Sequence, residues 1–199
     1  MIEVEIKVQI QNPDKIRELF NKENGKYQFS LLHEDTYYNM PKKLRDFKES
    51  DEALRIRKSN KFNKNQQEKK TEHYYITYKG AKLDSKTKTR RELETLVEDG
   101  EILKNILDAL GFREVLTVKK ERDLYKFTYK DKSIEVLLDY LPILDQYFIE
   151  AELLVESENK ISQARELLFS FLNRFNIKES DSIRKSYLEL IIEELKLKV

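Results

Sequence analysis

IEVEIKVQIQ, residues 2–11, alternates without a break: Ile2, Val4, Ile6, Val8 and Ile10 fall in one phase, and Glu3, Glu5, Lys7, Gln9 and Gln11 in the other. A β-strand accounts for this, because its side chains point to opposite faces with period two. The polar phase is not a random wet surface, since two carboxylates and an amine stand in one row, about 7 Å apart. Such a row can hold a metal ion and an anion together. An antiparallel strand with one solvated face shows the same alternation, so the rest of the chain must decide. Similar polar rows recur in ALRIR (Arg55, Arg57), YITYK (Lys79), RRELE (Glu92, Glu94), KKER (Lys120, Arg122), IEVLLD (Glu135, Asp139) and FIEAEL (Glu150, Glu152). Most have an apolar opposite phase: Leu54 and Ile56; Tyr74, Ile76 and Tyr78; Ile134, Val136 and Leu138; Ile149, Ala151, Leu153 and Val155. If those apolar phases pack on helices, the charged phases meet on the other side of the sheet. The simplest closed arrangement is a barrel with a charged interior.

The 199 residues can bury a substantial core and show no evident linker, which predicts a single domain over 1–199. Charged residues make up 38% of the chain, yet 38 Lys and Arg against 37 Asp and Glu leave a net charge of only +1. No global field therefore draws in nucleic acid or anionic lipid, and any anion selectivity must be local. The chain has no cysteine, which excludes disulfides and thiolate metal sites, and its two isolated histidines, His33 and His73, are a poor basis for zinc. Carboxylate oxygens with Mg²⁺ or Mn²⁺ are the natural alternative. No stretch approaches the roughly 20 apolar residues of a membrane span, and no signal peptide precedes the first strand. The expected location is the cytoplasm.

Asn12-Pro13 reads as an N-cap followed by proline at the first helical position. It starts a helix to about Glu23 with Ile16, Leu19 and Phe20 on one face and Gly25 as its stop. Residues 27–40 read as one or two strands. The segment 58–73 has no apolar period and is expected to be a solvated hairpin loop whose lysines could guide an anion. Apolar spacing predicts further helices at about 99–110, with Gly111 as terminator, at about 159–175, and from about Ser182, the last able to plug or cap one end of the barrel. Strand, helix, several strands, helix, several strands and two helices is an α+β order with mostly antiparallel pairing. A basic strand precedes an E-x-E strand twice, ALRIR before RELE and KKER before IEAE, a weak internal echo.

The order of these motifs resembles the CYTH family, also called triphosphate tunnel metalloenzymes, over nearly the whole chain. The likeness rests on E-x-E-x-K at Glu3, Glu5 and Lys7, HEDTYYN (33–39), EALRIRK (52–58), TYKG (77–80), TRRELE (89–94), KKERDLY (119–125), IEVLLD (134–139), FIEAEL (148–153) and SIRKSYLELI (182–191). The HEDTYY and RKSYLEL segments look most like the class IV adenylate cyclase branch. The resemblance implies an eight-stranded antiparallel closed β-barrel, a tunnel with helices outside and at one end, that binds a triphosphate and divalent cations. Burying so many charges dry would cost several kcal/mol per ion unless each were well paired. A wet tunnel resolves that conflict: Lys and Arg bind phosphate oxygens, and clustered carboxylates bind a metal that also touches the phosphates.

By the same resemblance, Glu3, Glu5, Glu150 and Glu152 form the principal metal site, with Asp139 close enough to contribute, and Glu92 and Glu94 hold a second metal or orient the basic residues. Lys7, Arg55, Arg57, Lys79, Lys120 and Arg122 are expected to hold the triphosphate. Arg90 shares the phase of Glu92 and Glu94, and Lys185 resembles a basic residue at the start of the terminal helix. Asp35 sits in a family motif, Tyr37 and Tyr38 beside it are read as packing residues, and His33 is not taken as a catalytic base. Glu3, Glu5, Lys7 and Glu152 are the residues expected to carry catalysis. The favoured reaction is hydrolysis of inorganic triphosphate, with conversion of ATP to cyclic AMP as the alternative and binding without turnover as a third reading. No nucleic-acid or membrane partner is expected, and a homodimer through an exposed strand or the terminal helix is allowed.

Overall fold

The computed structural model describes residues 2–64, 71–83, 87 and 89–196. Eight strands, β1 (Ile2–Ile10), β2 (Lys26–Asn39), β3 (Ala53–Phe62), β4 (Thr71–Lys82), β5 (Arg90–Val97), β6 (Arg113–Tyr129), β7 (Lys132–Leu141) and β8 (Gln146–Val155), close into a barrel in the order β1-β5-β4-β3-β2-β6-β7-β8. Every pairing is antiparallel. The order follows hairpin logic, since most neighbours in space are neighbours in sequence. Four helices accompany the strands: α1 (Pro13–Lys22), α2 (Gly100–Ala109), α3 (Ile161–Leu172) and α4 (Tyr187–Glu194). This is the α+β closed antiparallel barrel expected from the recurring polar rows and the family resemblance.

Closure sorts the two phases of each strand. The apolar phase of β1, β7 and β8 (Val4, Ile6 and Val8; Ile134, Val136 and Leu138; Ile149 and Ala151) is buried on the outside against Ile16 and Phe20 of α1 and Leu168 and Phe171 of α3. Each fully buried Val, Leu, Ile or Phe among them contributes about 1.5–3 kcal/mol. A smaller cluster seats Leu103 and Leu107 of α2 on Tyr38 and Ile56. α4 is placed differently: its Tyr187 and Ile191 pack with Tyr37, Val118, Leu141 and Phe148. Tyr37 and Phe148 belong to the inward phase of β2 and β8, so α4 plugs one end of the barrel. Among the described residues, no helix is long and apolar enough to cross a membrane.

Local signals account for most element ends. Asn12 Oδ1 accepts from Lys15 N at 2.9 Å, with Pro13 at the first helical position. The β6–β7 hairpin turns through Lys130 and Asp131, both at positive φ (47° and 59°), the backbone of the turns that match strand twist. Gly111 ends α2 at φ +82°.

Four details differ from the sequence reading. α1 ends with Asn24 in the left-handed region (φ 60°), whereas Gly25 is needed for space: a Cβ there would lie 2.3 Å from the ring of Phe127. The segment 58–73 is not all loop, because β3 runs to Phe62 and β4 begins at Thr71. Charged and polar residues such as Lys58, Asn60 and Glu72 are carried there by ladder pairing between the two strands, which needs no apolar period. The rest of that expected loop, residues 65–70, lies outside the described residues. The 159–175 helix is α-helical only over Ile161–Leu172, with 3-10 turns on both sides. The last helix starts at Tyr187, because Ser182 instead bridges to Val8 of β1.

Candidate active site

The inward phases bring most of the predicted charges around one cavity of about 600 Å³, while Lys7 and Asp139 are fully buried and not part of its lining. Its acidic side is built by β1 and β8. Glu5 faces Glu152 across the ladder, Glu3 stands two residues earlier on the same face, and each of the three offers a carboxylate oxygen within 4.8 Å of the others. Burial, then the charges of Glu3 and Glu5, hold the Glu152 carboxyl well above the usual carboxylate range. Three hard oxygen donors that repel one another are a fit for a divalent cation of the Mg²⁺ or Mn²⁺ kind, which relieves that repulsion.

Glu150 and Asp139 have other partners. Arg122 donates to both oxygens of Asp139, at 2.6 Å each, and also to Glu150. Lys7 Nζ lies 3.3 Å from Glu150, and the Tyr187 hydroxyl donates to Asp139 at 2.8 Å. The two carboxylates that the resemblance assigned to the metal are thus built into a buried ion-pair network beside the three-carboxylate group. Those pairings hold Arg122 well above its ordinary pKa despite its burial.

The basic side comes from β3, β4, β5 and β6. Arg57 grips Asp35 through two hydrogen bonds of 2.6 and 2.8 Å, and Arg55 reaches Asp35 at 3.6 Å, Glu94 at 3.1 Å and Thr77 Oγ1 at 2.9 Å. Burial alone would raise the pKa of Asp35, but Arg57 and Arg55 together bring it well below the ordinary value. Glu92 accepts from Lys79 at 2.5 Å. Glu94 also accepts from Thr77 Oγ1 at 2.7 Å. Arg90 bonds the carbonyl of Asp51 at 3.3 Å, and Lys82 bonds the Asp51 carboxylate at 2.6 Å. Lys185 lines the cavity, its ammonium pairs with Glu193, and its carbonyl accepts from Lys7 at 3.1 Å.

Lys120 is the least compensated of these cations. Its nearest carboxylates are Asp35 at 3.9 Å and Asp139 at 4.0 Å, and burial with the repulsion of Arg122 lowers its pKa to about 7. His33 is buried with Nε2 3.1 Å from Ser59 Oγ. Burial and the charges of Arg57 and Lys120 keep its imidazole neutral.

Sequence reasoning underrated three residues. Asp35 shares its inward phase with His33 and Tyr37, a signal visible in HEDTYY once β2 is taken as a single strand. Asp51 lies between β2 and β3, where no periodicity marks it. Tyr187 looks like one more apolar position of a helix, and only the direction of α4 brings it into the tunnel.

The arrangement brings the three-carboxylate group and a set of arginines and lysines, many of them paired with carboxylates, around one cavity large enough for a small polyanion. A profile of the CYTH domain matches residues 1–187. A protein of Methanocaldococcus jannaschii named "Putative adenylate cyclase" is 38% identical over 190 residues, covering 96% of this chain and 98% of its own length. A solved structure from Pyrococcus horikoshii OT3 is similar with a TM-score of 0.82 and 36% identity, over 96% of this chain and 99% of that one. A Hippeastrum protein described as a "Putative adenylyl cyclase" with a dominant triphosphatase activity shares the fold at a TM-score of 0.60 and 15% identity, over 99% and 97% of the two chains. The chain belongs to the CYTH family, whose members are divalent-metal-dependent enzymes acting on triphosphates.

Proposed function

We propose that this protein is a divalent-metal-dependent phosphohydrolase that cleaves inorganic triphosphate to pyrophosphate and orthophosphate. The observation that carries the reading is that the carboxylate group of Glu3, Glu5 and Glu152 and the basic group of Arg55, Arg57, Lys120 and Arg122 line one cavity. A polyanion satisfies the basic side, and a cation shared with it satisfies the acidic side.

Each group has a part in this reading. Asp35 and Asp139 fix the planes of Arg57 and Arg122, so their remaining N–H groups are aimed before substrate arrives, and little side-chain entropy is lost on binding. Lys120 adds a point charge and becomes fully protonated beside phosphate, while the fully buried Lys7 braces Glu150. Glu3, Glu5 and Glu152 would hold Mg²⁺ or Mn²⁺, which when bound neutralises phosphate oxygens and lowers the pKa of water. The oxygen of water bonds to a terminal phosphorus, the bridging P–O bond breaks with its electron pair leaving on pyrophosphate, and a proton of the attacking water passes to solvent. The basic side chains orient the chain of phosphates for that in-line displacement.

Adenylate cyclase is the second reading, and a specific feature favours it. Beyond the charged walls the cavity is lined by Phe47, Val115, Leu188 and Ile192, apolar surface that inorganic triphosphate does not use. The name of the Methanocaldococcus jannaschii relative points the same way. In that reaction the ribose 3′-hydroxyl attacks the α-phosphorus of ATP, and pyrophosphate leaves. Product analysis with inorganic triphosphate and, separately, ATP, each with Mg²⁺ or Mn²⁺ and a Glu5→Gln control, decides between them. Orthophosphate with pyrophosphate from triphosphate and no cyclic AMP supports the hydrolase. Cyclic AMP from ATP, lost in the control, replaces it with the cyclase.

A further inference from the structure

Arg55, Arg57 and Arg122 line the cavity together, yet they are not held alike. Arg57 and Arg122 each lay Nε and Nη2 against the two oxygens of one carboxylate, Asp35 and Asp139 respectively. Arg55 is 5% exposed, and its buried Nε has no hydrogen-bond partner among the described residues. Its carboxylate neighbours stand further off, Asp35 at 3.6 Å and Glu94 at 3.1 Å. The shortest of these contacts is to a neutral group: Nη2 donates to Thr77 Oγ1 at 2.9 Å.

Thr77 is fully buried in β4, directly opposite Arg55 of β3 on one side and Glu94 of β5 on the other. A guanidinium can only donate, and a hydroxyl has a single proton. Thr77 Oγ1 therefore accepts from Arg55 and donates to Glu94, 2.7 Å away. Glu94 also accepts from Arg55, which closes a triangle over three adjacent strands. The two acceptors on Nη2 differ in firmness. The Glu94 side chain is 44% exposed, long, and of the same sign as an incoming polyanion. Thr77 is stiff at χ1 because it is β-branched, sits between two paired strands, and is uncharged. It is the acceptor that keeps its place when a polyanion repels the carboxylate.

We propose that Thr77 is the positioning residue of Arg55: its hydroxyl, directed by donation to Glu94, sets the plane in which the guanidinium meets the phosphates of a triphosphate. This rests on the triphosphate reading of the cavity. It gives the third arginine the fixed orientation that Asp35 and Asp139 supply to the other two.

Calorimetric titration with imidotriphosphate, the nitrogen-bridged analogue of inorganic triphosphate, in the presence of Mn²⁺ tests it on Thr77→Val, Thr77→Ser and Arg55→Met. Valine keeps the shape of threonine and removes the hydroxyl, and is expected to weaken binding roughly tenfold. Serine keeps the hydroxyl and is expected to bind within about threefold of the parent. In the Arg55→Met background, where no guanidinium is left to orient, Thr77→Val is expected to change affinity by less than about twofold. Mn²⁺ affinity without the analogue is expected to stay unchanged in the Thr77 variants. Should the valine variant fail to fold, Thr77→Ala takes its place beside Thr77→Ser. Unchanged binding by the variant without the hydroxyl overturns the proposal. So does an equal loss in Thr77→Ser, which would assign the effect to packing, or an undiminished loss in the Arg55→Met background. A parent protein that does not bind the analogue overturns the reading of the cavity itself, whereas a binding parent with any of those three results overturns the Thr77 role alone.

Discussion

Glu152 and Lys120 carry opposite and informative tensions. The Glu152 carboxyl titrates well above its ordinary range, so the folded protein binds more protons than the unfolded chain from about pH 4.5 upward. Stability of the metal-free protein is then lost as pH rises from there through the folded pKa. Glu152→Gln is expected to raise the thermal midpoint of the metal-free protein at neutral pH by a few degrees, an effect of about 1–2 kcal/mol. The same substitution is expected to abolish stabilisation by Mn²⁺, and paired melting curves with and without Mn²⁺ check both. Lys120 is the reverse: its folded pKa of about 7 lies below the ordinary lysine value of 10.5. The unfolded chain binds more protons between those limits, so this group makes the protein more stable as pH rises across them. Triphosphate is expected to pull a proton onto Lys120 at pH 7–8, seen as a binding enthalpy that depends on the ionisation enthalpy of the buffer. The inward row of each residue was legible because it rests on period two alone. What each carboxylate touches was not: the division of Glu152 from Glu150 is made by Arg122, a side chain arriving from another strand.

Element boundaries show what propensity can and cannot carry. Asn12, Pro13 and Gly111 act through their own backbone or side-chain chemistry and are readable in place. Gly25 is readable as a glycine but not for its reason, which is the Phe127 ring pressed on its Cα. Gly25→Ala is therefore expected to cost about 1–3 kcal/mol, measured as a lower midpoint in urea with an unchanged slope. α4 is secured by a reciprocal cap in which Glu189 N donates to Ser186 Oγ and Ser186 N donates to Glu189. Ser186→Ala is expected to remove about 1 kcal/mol and to weaken triphosphate binding as α4 frays, with melting and titration followed on one sample. The strands at 58–62 and 71–73 escaped the sequence because their stability comes from cross-strand pairing, for which the pattern of a single strand holds no record.

At the scale of the molecule, a net charge of +1 conceals an interior dense in charges of both signs. The barrel was legible because seven polar rows, five of them with apolar opposite phases, have few other ways to fold. The strand order and the plug were not, being consequences of closure. A ligand that binds only the closed barrel stabilises it by mass action, so inorganic triphosphate at 100 times its dissociation constant is expected to add about 2.7 kcal/mol, checked by its concentration dependence in thermal melts. The seam of the barrel has a consequence in time. β1 pairs along its whole length with β8, from Ile2 with Val155 to Ile10 with Tyr147, joining strands about 150 residues apart, the kind of long-range contact that slows folding. During synthesis at roughly 5–20 residues per second, Glu3 and Glu5 leave the ribosome on the order of ten seconds before Glu152. For that interval the nascent chain carries two of its three clustered acids and no tunnel to put them in, so it cannot engage cellular triphosphates until the strand that seals the ring has emerged.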